Sequence, residues 1–282
     1  PETLALAERN LELRRTLYGD GSPEAARAAA SLADVLVHRR QIDRARELAE
    51  EAVATAARVE GDGGLALAGA RRTLGNVQLV AGEPAAARDS YRRALELFES
   101  RLGPEAPEVA ELLVASASAA RRAGDLAAAH ELGERAVAAS ERAFGAGHPV
   151  VGRALNGHAI LLRETGDLAG ARRCLERALT IFESDYGPDH PWVAGLLNNL
   201  GNLTRQTGDL RAARSFLERS LAIRERALGG DHPDVAQSLG NLALVAQEGG
   251  DLEAARTFLE RALAIREKAL TPDHPDVALT LT

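Results

Sequence analysis

Residues 190–231 read HPWVAGLLNNLGNLTRQTGDLRAARSFLERSLAIRERALGGD. The stretch holds two helix-forming runs with clear punctuation. Pro191 stands where a first-turn proline belongs, because its missing N–H would have no intrahelical partner there. The first run continues to about Thr207. Gly208 suits the left-handed conformation that ends a helix. Asp209 suits the N-cap of the second run, where a carboxylate accepts backbone N–H groups. That run ends near Leu228, and Gly229-Gly230-Asp231 breaks it before the next His-Pro.

The same punctuation recurs every 42 residues. Gly-Asp-Leu begins at Gly124, Gly166, Gly208 and Gly250, with decayed copies at Gly82-Glu83-Pro84 and Arg40-Gln41-Ile42. His-Pro begins at His148, His190, His232 and His274, with decayed copies at Ala106-Pro107, Gly64-Leu65 and Ser22-Pro23. A fixed period of this length is the mark of a repeat architecture. Six full units follow, 22–63, 64–105, 106–147, 148–189, 190–231 and 232–273. A helix-B half unit (1–21) and a helix-A half unit (274–282) flank them.

A column of small residues predicts how the two helices of a unit cross. Five residues past the glycine register stand Ala45, Ala87, Ala129, Ala171, Ala213 and Ala255. Seven further on stand Ala52, Ala94, Ala136, Ala178, Ser220 and Ala262. Seven before the register, in helix A, stand Ala33, Gly75, Ala117, Ala159, Gly201 and Ala243. Small side chains at fixed points let helices approach closely, while ridges such as Leu200, Leu217, Leu242 and Leu259 fill the space around them.

Leu200-Gly201 of helix A, followed by Ala213, Leu217 and Ser220 of helix B, resembles the tetratricopeptide repeat. The usual unit is about 34 residues. The longer unit here has a Leu-Gly-x-Asp-His-Pro-Asp-Val-Ala connection (Leu228 to Ala236) and a Leu-x-Asn-Asn-Leu helix A (Leu196 to Leu200). These features are similar to the kinesin-light-chain and nephrocystin type, which also occurs as sensor arrays in bacterial signal-transduction NTPases. The resemblance covers essentially the whole chain. It implies an all-α fold, a right-handed superhelical solenoid of antiparallel helix pairs forming one domain over 1–282.

Composition agrees with that class. Hydrophobic residues make up 45% but aromatics only 3%, so the core rests on Ala and Leu, strong helix formers. The formal net charge of −7 argues against a nucleic-acid partner, which needs a basic face. The longest apolar run, Leu112 to Ala120, is about half the roughly 20 residues a membrane helix needs, so no membrane partner is expected. Cys174 is the one cysteine, which excludes an intrachain disulfide and suits a reducing, cytoplasmic setting. Only Lys268 is a lysine among 34 Lys and Arg, a bias that points to a GC-rich bacterial genome. The chain opens at Pro1, contains no methionine, and shows a polar cap at neither end, so it is read as a fragment of a longer protein.

No catalytic signature is present: there is neither a Gly-x-x-x-x-Gly-Lys-Ser/Thr phosphate loop nor a Gly-x-Ser-x-Gly elbow. His130-Glu131 starts a zincin-like pattern, but Glu134 stands where the second histidine belongs. The chain is expected to be no enzyme and to need no cofactor or metal. The register histidines lie about one repeat apart, too far to share an ion, and are expected to orient the connection before helix A. Cys174 aligns with Phe216 and Phe258 and reads as an apolar helix position. Trp192 occupies a mostly polar column, so it either packs on the preceding connection or contacts a partner.

The resemblance implies that helix A lines a concave groove through the positions ten, nine, six, three and two before the glycine register. In the unit ending at Gly208 these are Asn198, Asn199, Asn202, Arg205 and Gln206. The units on either side supply Asn156, Arg163 and Asn241, and an earlier unit supplies Arg121. Asparagine is disfavoured within helices, yet its carboxamide suits the backbone of an extended peptide, and Arg suits carboxylates. The expected function is a protein- or peptide-binding scaffold for an acidic or extended segment, centred on 148–250. A second reading makes the array the regulatory sensor of a larger signal-transduction NTPase or transcription regulator. A third is end-to-end self-association through exposed end repeats.

Overall fold

The computed structural model describes residues 2–60 and 64–269 of the chain. Among them thirteen helices and no strand are found. Helix-A elements are α2 (Pro23–His38), α4 (Leu65–Val80), α6 (Pro107–Arg122), α8 (Pro149–Thr165), α10 (Pro191–Gln206) and α12 (Pro233–Glu248). Helix-B elements are α1 (Glu2–Tyr18), α3 (Ile42–Glu60), α5 (Pro84–Leu102), α7 (Leu126–Phe144), α9 (Leu168–Tyr186), α11 (Leu210–Leu228) and α13 (Leu252–Ala269). The half unit 274–282, with His274-Pro275, lies outside the described residues.

The chain divides into two compact units, Pro1–Ala146 with α1 to α7 and Gly147–Thr282 with α8 to α13. The boundary falls beside the predicted junction between the third and fourth full repeats. Within each unit every helix A packs on its own helix B, and all but α8 also pack on the helix B of the preceding repeat.

The punctuation works as its chemistry requires. Pro107, Pro149, Pro191 and Pro233 each open a helix A. Asp125, Asp167, Asp209 and Asp251 accept the backbone N–H three residues on, at 2.8 to 3.2 Å. Gly208 turns the chain from α10 into α11 with φ of 83°. Arg40 holds the same turn between α2 and α3 with φ of 57°, a left-handed conformation costly for a residue with a Cβ.

The histidines are caps. His148, His190 and His232 accept, through Nδ1, the backbone N–H of Val150, Trp192 and Asp234 at 3.2, 3.2 and 3.1 Å. Ser22 does the equivalent work for α2, accepting from Ala25 at 3.1 Å. The sequence-based expectation that these residues orient the connection thus acquires a mechanism: each satisfies an orphan donor of the first helical turn.

The small-residue columns are where the helices cross. Ala45, Ala87, Ala171 and Ala213 in the first column, and Ala52, Ala94, Ala178 and Ser220 in the second, have no exposed surface. A Cβ on Gly201 would lie 2.5 Å from Leu217 Cγ, and one on Gly75 would lie 2.4 Å from Tyr91 Cε1. The ring of Tyr91 and the branch of Leu217 therefore occupy the space a helix-A side chain would need. Between neighbouring helix-B elements, ion pairs recur at the repeat spacing: Arg15–Glu51, Arg219–Glu183 and Arg261–Glu225 each close to 2.6 Å. Being part-exposed, each is worth well under ~1 kcal/mol.

Candidate ligand groove in the second unit

The second unit carries α8, α10 and α12, and all the predicted groove residues but Arg121 sit on them. Four of the asparagines are not free carboxamides. Asn199 Nδ2 donates to Asn156 Oδ1 at 2.8 Å, and Asn241 Nδ2 donates to Asn198 Oδ1 at 2.8 Å. The asparagines thus pair across repeats, each rung tying one helix A to the next. Asn198 is only 5% exposed, while Asn156, Asn199, Asn202 and Asn241 are half-buried. Arg205 pairs with Glu248 across the same repeat step. Arg163 is half-buried and makes no ion pair among the described residues. Arg121 belongs to the first unit, half-buried at the end of α6.

A cavity of about 340 Å³ opens beside the Asn156–Asn199 rung. Its two halves differ in chemistry. One is apolar, built from Phe182 of α9, Pro191, Trp192 and Leu196 of α10, and Leu228 of α11. The other is polar, built from Asn156, Asn198, Asn199, Arg224 and Gln237, with Asp234 at its edge. Trp192 is 50% exposed and meets the Phe182 ring edge-on, with centroids 5.8 Å apart. Phe182 meets Tyr186 in the same way at 5.7 Å, and Tyr186 stacks on His190 at 4.7 Å. So Trp192 packs on Phe182 of the preceding helix and lines the cavity.

Arg224 is the residue the sequence reading passed over. It is only 7% exposed. Its Nη1 donates to the Asp234 carbonyl at 2.7 Å, to Ser238 Oγ at 2.9 Å and to Gln237 Oε1 at 3.1 Å. No carboxylate forms an ion pair with it among the described residues, although Asp234 lies within electrostatic reach. Burial accordingly pulls the guanidinium below its ordinary value, and Asp234 only partly offsets this. A signal was present: arginine recurs in this column at Arg14 and Arg266, against the apolar or small Ala56, Phe98, Ser140 and Phe182. Ser238 stands in a column that alternates between Leu112 and Leu196 and the small Ala28, Ala70 and Ala154.

With the helix pairs and groove in view, the family follows from comparison. Tetratricopeptide repeat profiles match residues 25–64, 65–142, 108–184, 150–226, 193–268 and 234–282. The chain is a tetratricopeptide repeat protein. No curated protein sequence matches it. Among solved structures, the tetratricopeptide array is similar to BtubC (BKLC) from P. vanneervenii, with a TM-score of 0.66 and 27% identity over 84% of this chain and 93% of that one. It is similar in fold to the nearly identical TPR-like repeats of a Podosopora anserina protein assigned as a kinesin light chain, with a TM-score of 0.60 and 23% identity over 71% and 95%. The APC/C hetero-tetramer Cut9-Hcn1 matches in fold at a TM-score of 0.70 and 17% identity, over 99% of this chain and 45% of that one. The tetratricopeptide neighbours are thus kinesin-light-chain-like. No described helix is long and apolar enough to cross a membrane.

Proposed function

We propose that the second unit of this tetratricopeptide protein binds a short extended peptide in which a large apolar side chain stands next to a carboxylate. The observation that carries this reading is Arg224. A guanidinium this deeply buried normally has a carboxylate partner, since an unpaired buried charge is costly. Among the described residues Arg224 donates only to neutral acceptors, and the group borders a cavity. A ligand carboxylate would complete the ion pair in a site of low dielectric, where such contacts are strong.

The apolar half of the cavity suits the neighbouring side chain of the same ligand. Phe182 and Trp192 form a rigid wall, and buried aromatic contacts are the usual energetic centre of an interface. The rungs Asn199–Asn156 and Asn241–Asn198 leave Asn199 Oδ1 and Asn156 Nδ2 to meet a peptide backbone. Repeat arrays generally serve as interaction scaffolds through such extended surfaces, and the protein acts by binding rather than by catalysis.

Display selection on the whole chain from a random peptide library tests the reading, with Arg224→Gln as counter-screen. Enrichment of an acidic-apolar motif that Arg224→Gln no longer captures is the expected result. Selection of no motif, or of one retained by Arg224→Gln, sinks it.

A further inference from the structure

We propose a second docking site, on the helix-B face of the first unit, for a peptide segment that places a large apolar side chain beside basic residues. It lies between α5 and α7, where a cavity of about 510 Å³ reaches down to α6. That volume is in the range of small-ligand clefts, roughly 300–1,000 Å³.

The cavity exists because one side chain is short. Ser116 of α6 lines its floor, and the same column holds Leu32, Leu74, Leu200 and Leu242, with His158 in the fourth repeat. Leu32, Leu200 and Leu242 are each 1% exposed, so a leucine at this position fills its seam. Ser116 leaves the seam unfilled. Its hydroxyl donates to the Leu112 carbonyl at 2.8 Å within its own helix, so the floor offers a ligand an apolar surface rather than a free donor. Leu95, Ala128 and Leu132 complete that surface.

The rim sets the charge of the occupant. Five carboxylates stand on it, those of Asp89, Glu96, Glu99, Asp125 and Glu131, against the guanidinium groups of Arg88, Arg92 and Arg135. All three arginines are already engaged: Arg88 with Asp125 at 3.3 Å, Arg92 with Glu96 at 2.8 Å, and Arg135 with Glu99 at 2.5 Å. Glu131, exposed beside Leu132, makes no ion pair among the described residues. An acidic ligand would meet excess negative charge with every cation taken. A lysine or arginine next to an apolar side chain finds Glu131 at the edge and Leu95 and Leu132 below. This preference is the opposite of that in the second-unit groove, so the two sites are separable by ligand charge.

The test is fluorescence anisotropy of a labelled short peptide carrying one phenylalanine flanked by arginines, titrated with the whole chain at low salt. A matched peptide with glutamates in place of arginines serves as control. Ser116→Leu fills the floor as the sister repeats do and should melt no lower than the parent. The arginine peptide is expected to bind, and to weaken about tenfold or more in both Ser116→Leu and the surface variant Glu131→Arg. Arg224→Gln should leave its binding unchanged. Absence of binding to the parent, binding that survives Ser116→Leu, or displacement of the arginine peptide by an equal concentration of the glutamate peptide each overturn the proposal.

Discussion

Arg224 Nη1 lies 2.9 Å from Ser238 Oγ, joining α11 to α12 inside the second unit. Phe182 and Leu196 hold the equivalent places one repeat earlier, and Arg266 repeats the arginine one repeat later. A buried arginine with polar partners is a poor way to gain stability, because desolvation offsets most of the attraction. Under the proposed function the pair serves ligand binding. Ser238→Ala should destabilise the chain by about 1–3 kcal/mol, since it removes one acceptor from a buried charge. The double change Arg224→Phe with Ser238→Leu installs the residues of the preceding repeat and should cost less than Ser238→Ala alone. Denaturant unfolding of the three proteins checks the order.

Arg40 holds a left-handed turn that glycine holds in the later repeats. It is exposed, and nothing about its side chain requires the position. Replacing it with glycine removes the Cβ conflict, worth about 1 kcal/mol, less the entropy that glycine loses on folding. Arg40→Gly should raise the melting temperature of the first unit by about 2 °C, measurable by calorimetry.

The histidine caps predict a graded mutational series. His232→Ala leaves the Asp234 N–H without its acceptor and should cost about 1 kcal/mol. His232→Ser supplies a hydroxyl in the same place, as Ser22 does for α2, and should recover most of the loss. Equal melting of the alanine and serine variants would show that the imidazole does something other than cap.

Cys174 is half-buried on α9, and burial raises its thiol above the ordinary value against the pull of Arg173 and Arg177. A raised thiol is less ionised at neutral pH, and the thiolate is the reactive form. Alkylation by iodoacetamide should be several-fold slower in the native chain than in denaturant. The linked stability runs the same way: it is complete below the unfolded thiol's range and declines as pH rises from there towards the folded value.

Much of the fold was legible because its determinants are local. Pro191, Gly208 and Asp209 each act within a few residues, so their types alone place the ends of α10 and the start of α11. The crossings were legible because Gly201 and Ala213 recur at fixed offsets. The site was less so. The asparagines lie on helix A, but their pairing, Asn199 with Asn156 and Asn241 with Asn198, depends on side-chain reach across repeats. Arg224 was visible only as one of the arginines, with Arg14 and Arg266, in a column that otherwise holds Phe and small residues, and such a charge has no meaning until its partners are seen. Ser116 is similar: a short side chain becomes a cavity only through what its neighbours fail to fill.

Trp192 is the one tryptophan of the chain and stands in the wall of the second-unit cavity, so the groove carries its own reporter. The most direct measurement is the intrinsic fluorescence of the whole chain titrated with a peptide that sets one apolar residue beside glutamate or aspartate. The expected result is a saturable change in Trp192 emission that vanishes in Arg224→Gln while the helical circular dichroism stays the same. Equal titration of parent and Arg224→Gln, or tight binding that leaves Trp192 unmoved, would contradict the account.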